Sequence, residues 1–118
     1  MARMLVHLAS GPEHPTRAAL ALLVARTASQ EGHDVTVFLA GDAVQLARPQ
    51  TAEATHGVGT GSVAEHWQAL ADAGVPMLLS GMSSKARGLD ADVRDGVEMA
   101  QPARLVQLAV DAEVTLTY

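Results

Sequence analysis

Short apolar runs alternate along this chain with stretches whose apolar residues recur at helical spacing. Residues 3–9 contain Met4-Leu5-Val6-His7-Leu8-Ala9, a run suited to a buried strand. Ser10-Gly11-Pro12-Glu13 follows, with a serine and a glutamate three positions apart and a proline suited to a first turn. That pattern predicts a capping box opening a helix that runs to about Gln30. Its apolar stripe is Leu20, Leu23, Val24 and Thr27, and Gly32 stops it. Residues 34–40, rich in β-branched side chains, form the clearest strand. Gly41-Asp42 turns into a short helix ending at Leu46 or Ala47, and residues 48–61, polar and glycine-bearing, read as a mobile loop.

Ser62 and Glu65 form a second capping box, ahead of a helical face of Val63, Trp67 and Leu70 that Gly74 ends. Val75-Pro76 leads into a strand at 77–79. A short helix begins at Met82, reaches Arg87 and is closed by Gly88. A very short strand fits 97–99. Gln101-Pro102 opens a helix whose apolar positions are Leu105, Val106, Leu108 and Ala109, and residues 113–117 form the last strand. Strands alternating with helices predict an α/β fold with a mainly parallel sheet and helices on both faces. Nothing in the pattern marks a linker, so residues 1–118 are expected to form one domain.

Composition narrows the function. Hydrophobic residues are 48% of the 118, enough for a core, whereas charged residues are only 18%. That is below the roughly 25% usual for soluble domains, so part of the surface is expected to be covered, most simply by further copies of the chain. A net charge of −5 argues against nucleic acid as a partner. No apolar run approaches the ~18 residues of a membrane span, and the first residues enter a strand without a signal-peptide pattern, so a cytoplasmic protein is expected. With no cysteine, the chain has no disulfide, thiolate metal site or thiol nucleophile. The five histidines show no metal-ligand spacing, and no cofactor is implied.

In an open parallel sheet, ligands bind beyond the carboxyl ends of the strands. The segments expected there supply the candidate ligand-binding residues: Ser10, Gly11 and His14; Asp42; His56; and Ser80, Gly81, Met82, Ser83, Ser84 and Lys85. Gly81 allows close backbone approach, the hydroxyls of Ser83 and Ser84 suit a ligand oxygen or a helix cap, and Lys85 and Arg87 attract an anion. For Ser80 to act as a nucleophile, His14 or His56 with Asp42 would have to serve as base and orienting group, and its flanks do not match a nucleophile elbow. Gly57-Val58-Gly59-Thr60-Gly61 lacks the preceding strand and the third glycine of a dinucleotide fingerprint. As a loop, it is placed to act as a flap over the strand ends.

The chain resembles the DsrE/DsrF-like family of small α/β proteins, some of which are sulfur-relay subunits. The resemblance rests on the Ser10-Gly11 turn, residues 35–42, Val75-Pro76, the stretch Ser80-Gly81-Met82-Ser83-Ser84-Lys85-Ala86-Arg87-Gly88, and residues 112–117. It implies a three-layer α/β/α sandwich around a mostly parallel five-stranded sheet, assembled as a homo-oligomer, commonly a trimer or hexamer. In thiol-bearing relatives a cysteine stands at or near the position of Ser80, and a serine hydroxyl forms no persulfide. Three functions follow as expectations: a binding protein for a small anionic ligand, a non-catalytic subunit of a sulfur-relay complex whose thiol sits on a partner, and, least supported by the residues, a hydrolase or transferase using Ser80.

Overall fold

The computed structural model describes residues 1–89 and 93–118. Five strands, β1 (Arg3–Leu8), β2 (Asp34–Leu39), β5 (Met77–Ser80), β6 (Val97–Ala100) and β7 (Val114–Thr117), form one sheet in the order β6-β5-β2-β1-β7. Every pairing in it is parallel, from Arg3 opposite Asp34 to Ser80 opposite Ala100. The helices are α1 (Pro15–Gln30), α2 (Pro49–Ala54), α3 (Val63–Asp72), α4 (Gly81–Ala86) and α5 (Pro102–Asp111), with a 3₁₀ helix at Gly41–Ala47. The α/β architecture and the five-stranded parallel sheet agree with the expectation from sequence.

Side chains alternate between the faces of each strand, and the two faces are covered unequally. Val6, Leu8, Val37, Leu39, Met77 and Leu79 join the large core beneath α1 and α3. Leu5, Phe38, Leu78 and Ala100 lie on the opposite face, where α5 supplies cover through Leu105 and Leu108, with Ala112 just beyond it and Ala40 alongside. No residue of α5 is fully buried. Val106 and Ala109, expected among the apolar positions, are exposed, since no described residue packs over this side of the helix.

Three local expectations are corrected. The Ser10–Glu13 box does not cap α1: the helix begins at Pro15 with His14 at the cap, and Glu13 turns back to accept from the Gly11 N–H at 2.6 Å. The buried face of α1 is Ala18, Ala19, Ala21, Leu22, Ala25 and Ala28 rather than the Leu20 stripe; Leu20 is exposed. Small side chains let this helix approach the sheet on one side and α3 on the other. Residues 48–61 are not an open loop but α2 and half of a two-stranded hairpin, β3 (His56–Gly57) and β4 (Gly61–Ser62).

The hairpin is tied to α1. Val58 N–H donates to Thr16 Oγ1 at 3.0 Å, and Thr60 Oγ1 donates to the Thr16 carbonyl at 3.3 Å. Buried His66 donates from Nε2 to the Thr60 carbonyl at 2.7 Å, which leaves Nδ1 to accept from Arg26 at 3.4 Å. The second capping box is present: Ser62 Oγ accepts from Glu65 N–H at the start of α3.

Trp67, the only tryptophan, is 1% exposed within the large core, with the Arg94 guanidinium 5.7 Å from its ring centroid. Trp67→Ala is expected to lower the unfolding free energy by about 3–5 kcal/mol, measured by urea denaturation followed by circular dichroism. A loss within about 1 kcal/mol, the scale of a surface change, would show that the core does not depend on that ring.

His7 stands edge-on to Phe38, with centroids 6.1 Å apart, and its buried Nε2 has no hydrogen-bond partner among the described residues. Burial lowers its pKa from the ordinary 6.5. Above that value both folded and unfolded chains hold it neutral. As pH falls below it, the unfolded chain takes up the proton first and stability is lost until the folded pKa is passed. His7→Asn should therefore remove part of the stability loss between about pH 7 and 5 and leave the slope above pH 7 unchanged. Parallel wild-type and variant curves across that range would contradict this.

Candidate functional site

The carboxyl ends of β1, β2 and β5 lie side by side, as the register of Leu8 with Leu39 and Leu39 with Leu79 requires. Gly11 packs directly on the main chain of Asp42, where a Cβ would collide with the Asp42 carbonyl. Glycine at this position therefore serves close approach of two backbones. Its N–H, which would otherwise be open to an anion, is occupied by both oxygens of Glu13. Arg17 reaches Ser10 Oγ at 3.4 Å.

Around β5 the hydroxyls and charges bind one another. Ser80 caps α4, its Oγ accepting from Ser83 N–H at 3.2 Å. Ser83 Oγ accepts from Gly41 N–H at 2.9 Å, tying α4 to the end of β2, and Gly41 turns the chain there at φ +56°. Asp42 Oδ1 accepts from Arg87 Nη2 at 3.0 Å and Nε at 3.2 Å. Arg87 also donates to the Ser83 carbonyl, and Arg48 donates to the Arg87 carbonyl. This part of the strand-end surface is a closed hydrogen-bonded strap, and Arg87, expected as a free cation, is paired. With side chains 28% and 59% exposed, the Arg87–Asp42 pair is worth at most about 1 kcal/mol. Its effect is to fix the orientation of α4.

The remaining candidates fall into three depressions, two of which adjoin at Pro15. Gly81, Met82, Ser84 and Lys85 line a groove of about 500 Å³ with Leu89 from beyond α4 and with Met99 and Gln101 from β6 and its exit. His56 lines a second, of about 460 Å³, with Pro12 and Thr51, where its Nε2 meets the Glu53 carbonyl at 2.9 Å. His14 lines a third, of about 470 Å³, with Arg17 and Tyr118. The structure thus gathers the α4 residues in one place and sets the two histidines apart from them. No histidine hydrogen-bonds to Ser80 among the described residues. Those residues also contain no group of three metal-ligating side chains, and no helix long and apolar enough to cross a membrane.

In the α4 groove, Ser84 is 1% exposed and its Oγ has no hydrogen-bond partner among the described residues. A buried, unsatisfied hydroxyl is uncommon in native proteins and marks a place where a polar atom is missing. Lys85 brings the groove's charged donor, Met82 and Met99 its flexible apolar walls, and Gln101 an amide. Leu89, Met99 and Gln101 were not singled out from sequence. Met99 alternates with Val97 in β6, and Gln101 directly precedes a helix-opening proline, but it is the pairing of β6 with β5 that brings them to the groove.

The model of the DsrE/DsrF-like family matches residues 3–118. The chain belongs to that family. Among solved structures, this DsrE/DsrF-like chain is similar to the ychN protein from E. coli, with a TM-score of 0.83 at 22% identity and 100% of each chain covered. It is similar also to MTH1491 from Methanobacterium thermoautotrophicum, a protein of unknown function, with a TM-score of 0.73 at 15% identity and both chains covered in full (100%). BT1422 from Bacteroides thetaiotaomicron, likewise of unknown function, aligns with a TM-score of 0.72 at 14% identity over 98% of this chain and 94% of its own. At these identities the likeness is one of fold. No curated protein matches the sequence. The DsrE/DsrF-like chain presents Ser80, and no cysteine anywhere, on this fold.

The strap predicts a graded response. Ser80→Ala, which removes a helix cap, should cost about 1 kcal/mol of stability. Gly11→Ala, which forces a carbonyl aside, should cost more, about 1–3 kcal/mol. Chemical denaturation of both variants checks the order, and a silent Gly11→Ala would show that the two turns do not need their close contact.

Proposed function

We propose that this DsrE-like protein, without thiol chemistry of its own, binds a small anionic ligand in the groove between α4 and the end of β6, and does so as a cytoplasmic homo-oligomer, a trimer or hexamer. The observation that supports the reading is the buried Ser84 hydroxyl, without a hydrogen-bond partner among the described residues, in a groove whose cation is Lys85. Gly11 N–H and Arg87 already have acid partners, so the strap offers an incoming anion much less than Lys85 does. The methionine and leucine walls favour a compact apolar body behind the acidic group. Catalysis by Ser80 is not part of the reading, since that hydroxyl is a cap without a base.

A second reading follows from membership of the family together with the absence of cysteine: a non-catalytic subunit of a sulfur-relay complex whose thiol belongs to another chain. Affinity purification from the native host separates the two, because recovery of a cysteine-bearing relative in fixed ratio supports the relay subunit and recovery of this chain alone opposes it.

Thermal-shift measurements with a panel of small carboxylates, sulfur oxyanions and nucleotides test the binding reading. A ligand at about ten times its dissociation constant stabilises by about 1.4 kcal/mol, which for a domain of this size is a rise of several degrees in Tm. The rise is expected to disappear in Lys85→Met and to shrink in Ser84→Ala. No shift with any member of the panel, or an equal shift in Lys85→Met, would refute the proposed site.

A further inference from the structure

We propose that the outer face of α5 packs against the same face of a second copy, antiparallel, about a twofold axis level with Gln107 and Leu108. The inference rests on the reading of the chain as self-associating and adds the surface and the symmetry.

Leu105 and Leu108 turn α5 toward the sheet. At about 100° per residue, the side diametrically opposite carries Ala103, Val106 and Val110. Val106 is 63% exposed and Val110 is 73% exposed, on the helix that, among the described residues, covers its face of the sheet. The stripe is too regular for scattered surface apolar residues: it repeats at i, i+3 and i+7, the spacing by which one helix meets another.

The charges identify the occupant. Arg104 and Asp111 lie within about 20° of one another around the helix but seven residues apart, two turns or about 10 Å along it, beyond pairing distance. Each stands at the end of α5 where the helix dipole disfavours it, a cation in the first turn and an anion in the last. Arg104 makes no side-chain hydrogen bond among the described residues, whereas Asp111 Oδ1 accepts from Gln107 at 3.1 Å and its carbonyl accepts from Arg3. A twofold rotation perpendicular to the helix keeps a flank on its own side and exchanges the ends. It therefore brings Arg104 beside the partner's Asp111, and Asp111 beside the partner's Arg104, while Val106 and Val110 interleave with the partner's Val110 and Val106. This self-complementarity is what an isologous contact requires and what an unrelated partner has no reason to match.

Two helices about 15 Å long bury less than the roughly 1,200–2,000 Å² of a stable pair. The contact therefore acts within an assembly that other surfaces also hold. A hexamer built from two trimers contains such twofold axes and a lone trimer contains none.

Sedimentation velocity on wild type, R104D, D111R and the double variant R104D/D111R tests the charges. Each single reversal is expected to weaken the twofold association at least about ten-fold, and the double swap to restore it to within about three-fold, as for a directly facing charge pair. The cysteine-free chain allows a second measurement that tolerates failure of D111R, which places a cation near Arg3. V106C and V110C proteins are mixed and oxidised; mixed disulfides in excess over both homodisulfides support the antiparallel pairing, and predominance of homodisulfides overturns it. A double swap as weak as the single variants also overturns it. Unchanged oligomers in every variant overturn the α5 contact and leave self-association standing. A wild-type monomer from micromolar to millimolar concentration overturns both.

Discussion

The handedness of parallel crossovers governs how this molecule is arranged. A strand–crossover–strand connection in a parallel sheet is right-handed almost without exception. From β1 the chain steps outward through β2, β5 and β6, and each connection in that direction lies on the same face. The last step, from β6 back across the sheet to β7, reverses direction, so a right-handed connection has to cross on the other face. That is why, among the described residues, α5 is the one helix there, why the helices and the hairpin of the earlier connections share the opposite face, and why one core holds most of the buried apolar residues while the other consists of Leu5, Phe38, Leu78 and Ala100. The unequal cover is a consequence of topology rather than of weak apolar character in α5.

The same order places the site. β6 pairs with β5 only because the outward progression continues, and that pairing brings Met99 and Gln101 opposite Ser84 and Lys85. Hydrogen bonds among Ser80, Ser83, Gly41, Asp42, Arg87 and Arg48 then hold α4 against the end of β2. The groove is thereby built on a fixed frame, and among the described residues the Ser84 hydroxyl stays outside that network.

Local chemistry was readable wherever the deciding partner lay nearby in sequence. Ser62 and Glu65 form their box because both ends lie within one turn. Residues 34–40 were readable as a strand from their β-branched run, residues 4–9 from a short apolar run, and 97–99 as a very short strand that the structure extends to Ala100. The pattern failed where distant partners decide. Glu13 resembles a capping glutamate until Gly11, pressed against Asp42, offers it an N–H. The alanine face of α1 has little apolar contrast with its flanks, and residues 48–61 acquire structure from Thr16 and from His66, whose own orientation depends on Arg26. For the site, Ser80 to Lys85 announced themselves by composition, whereas Leu89, Met99 and Gln101 are ordinary residues made significant by strand order.

The pairing of β1 with β7 joins Met4 to Val114 and His7 to Thr117, residues more than a hundred positions apart. Of the two neighbours that flank β1, the first is available once residue 39 has been made, and the second only when synthesis reaches Thr117. During translation the strand therefore waits with one row of amides and carbonyls unpaired, although the four strands that α5 packs against have already been made. Closure of so long a loop comes last and is slow. The interval before it is when this chain is most open to capture by another nascent copy, through the strand edge that β7 will later occupy.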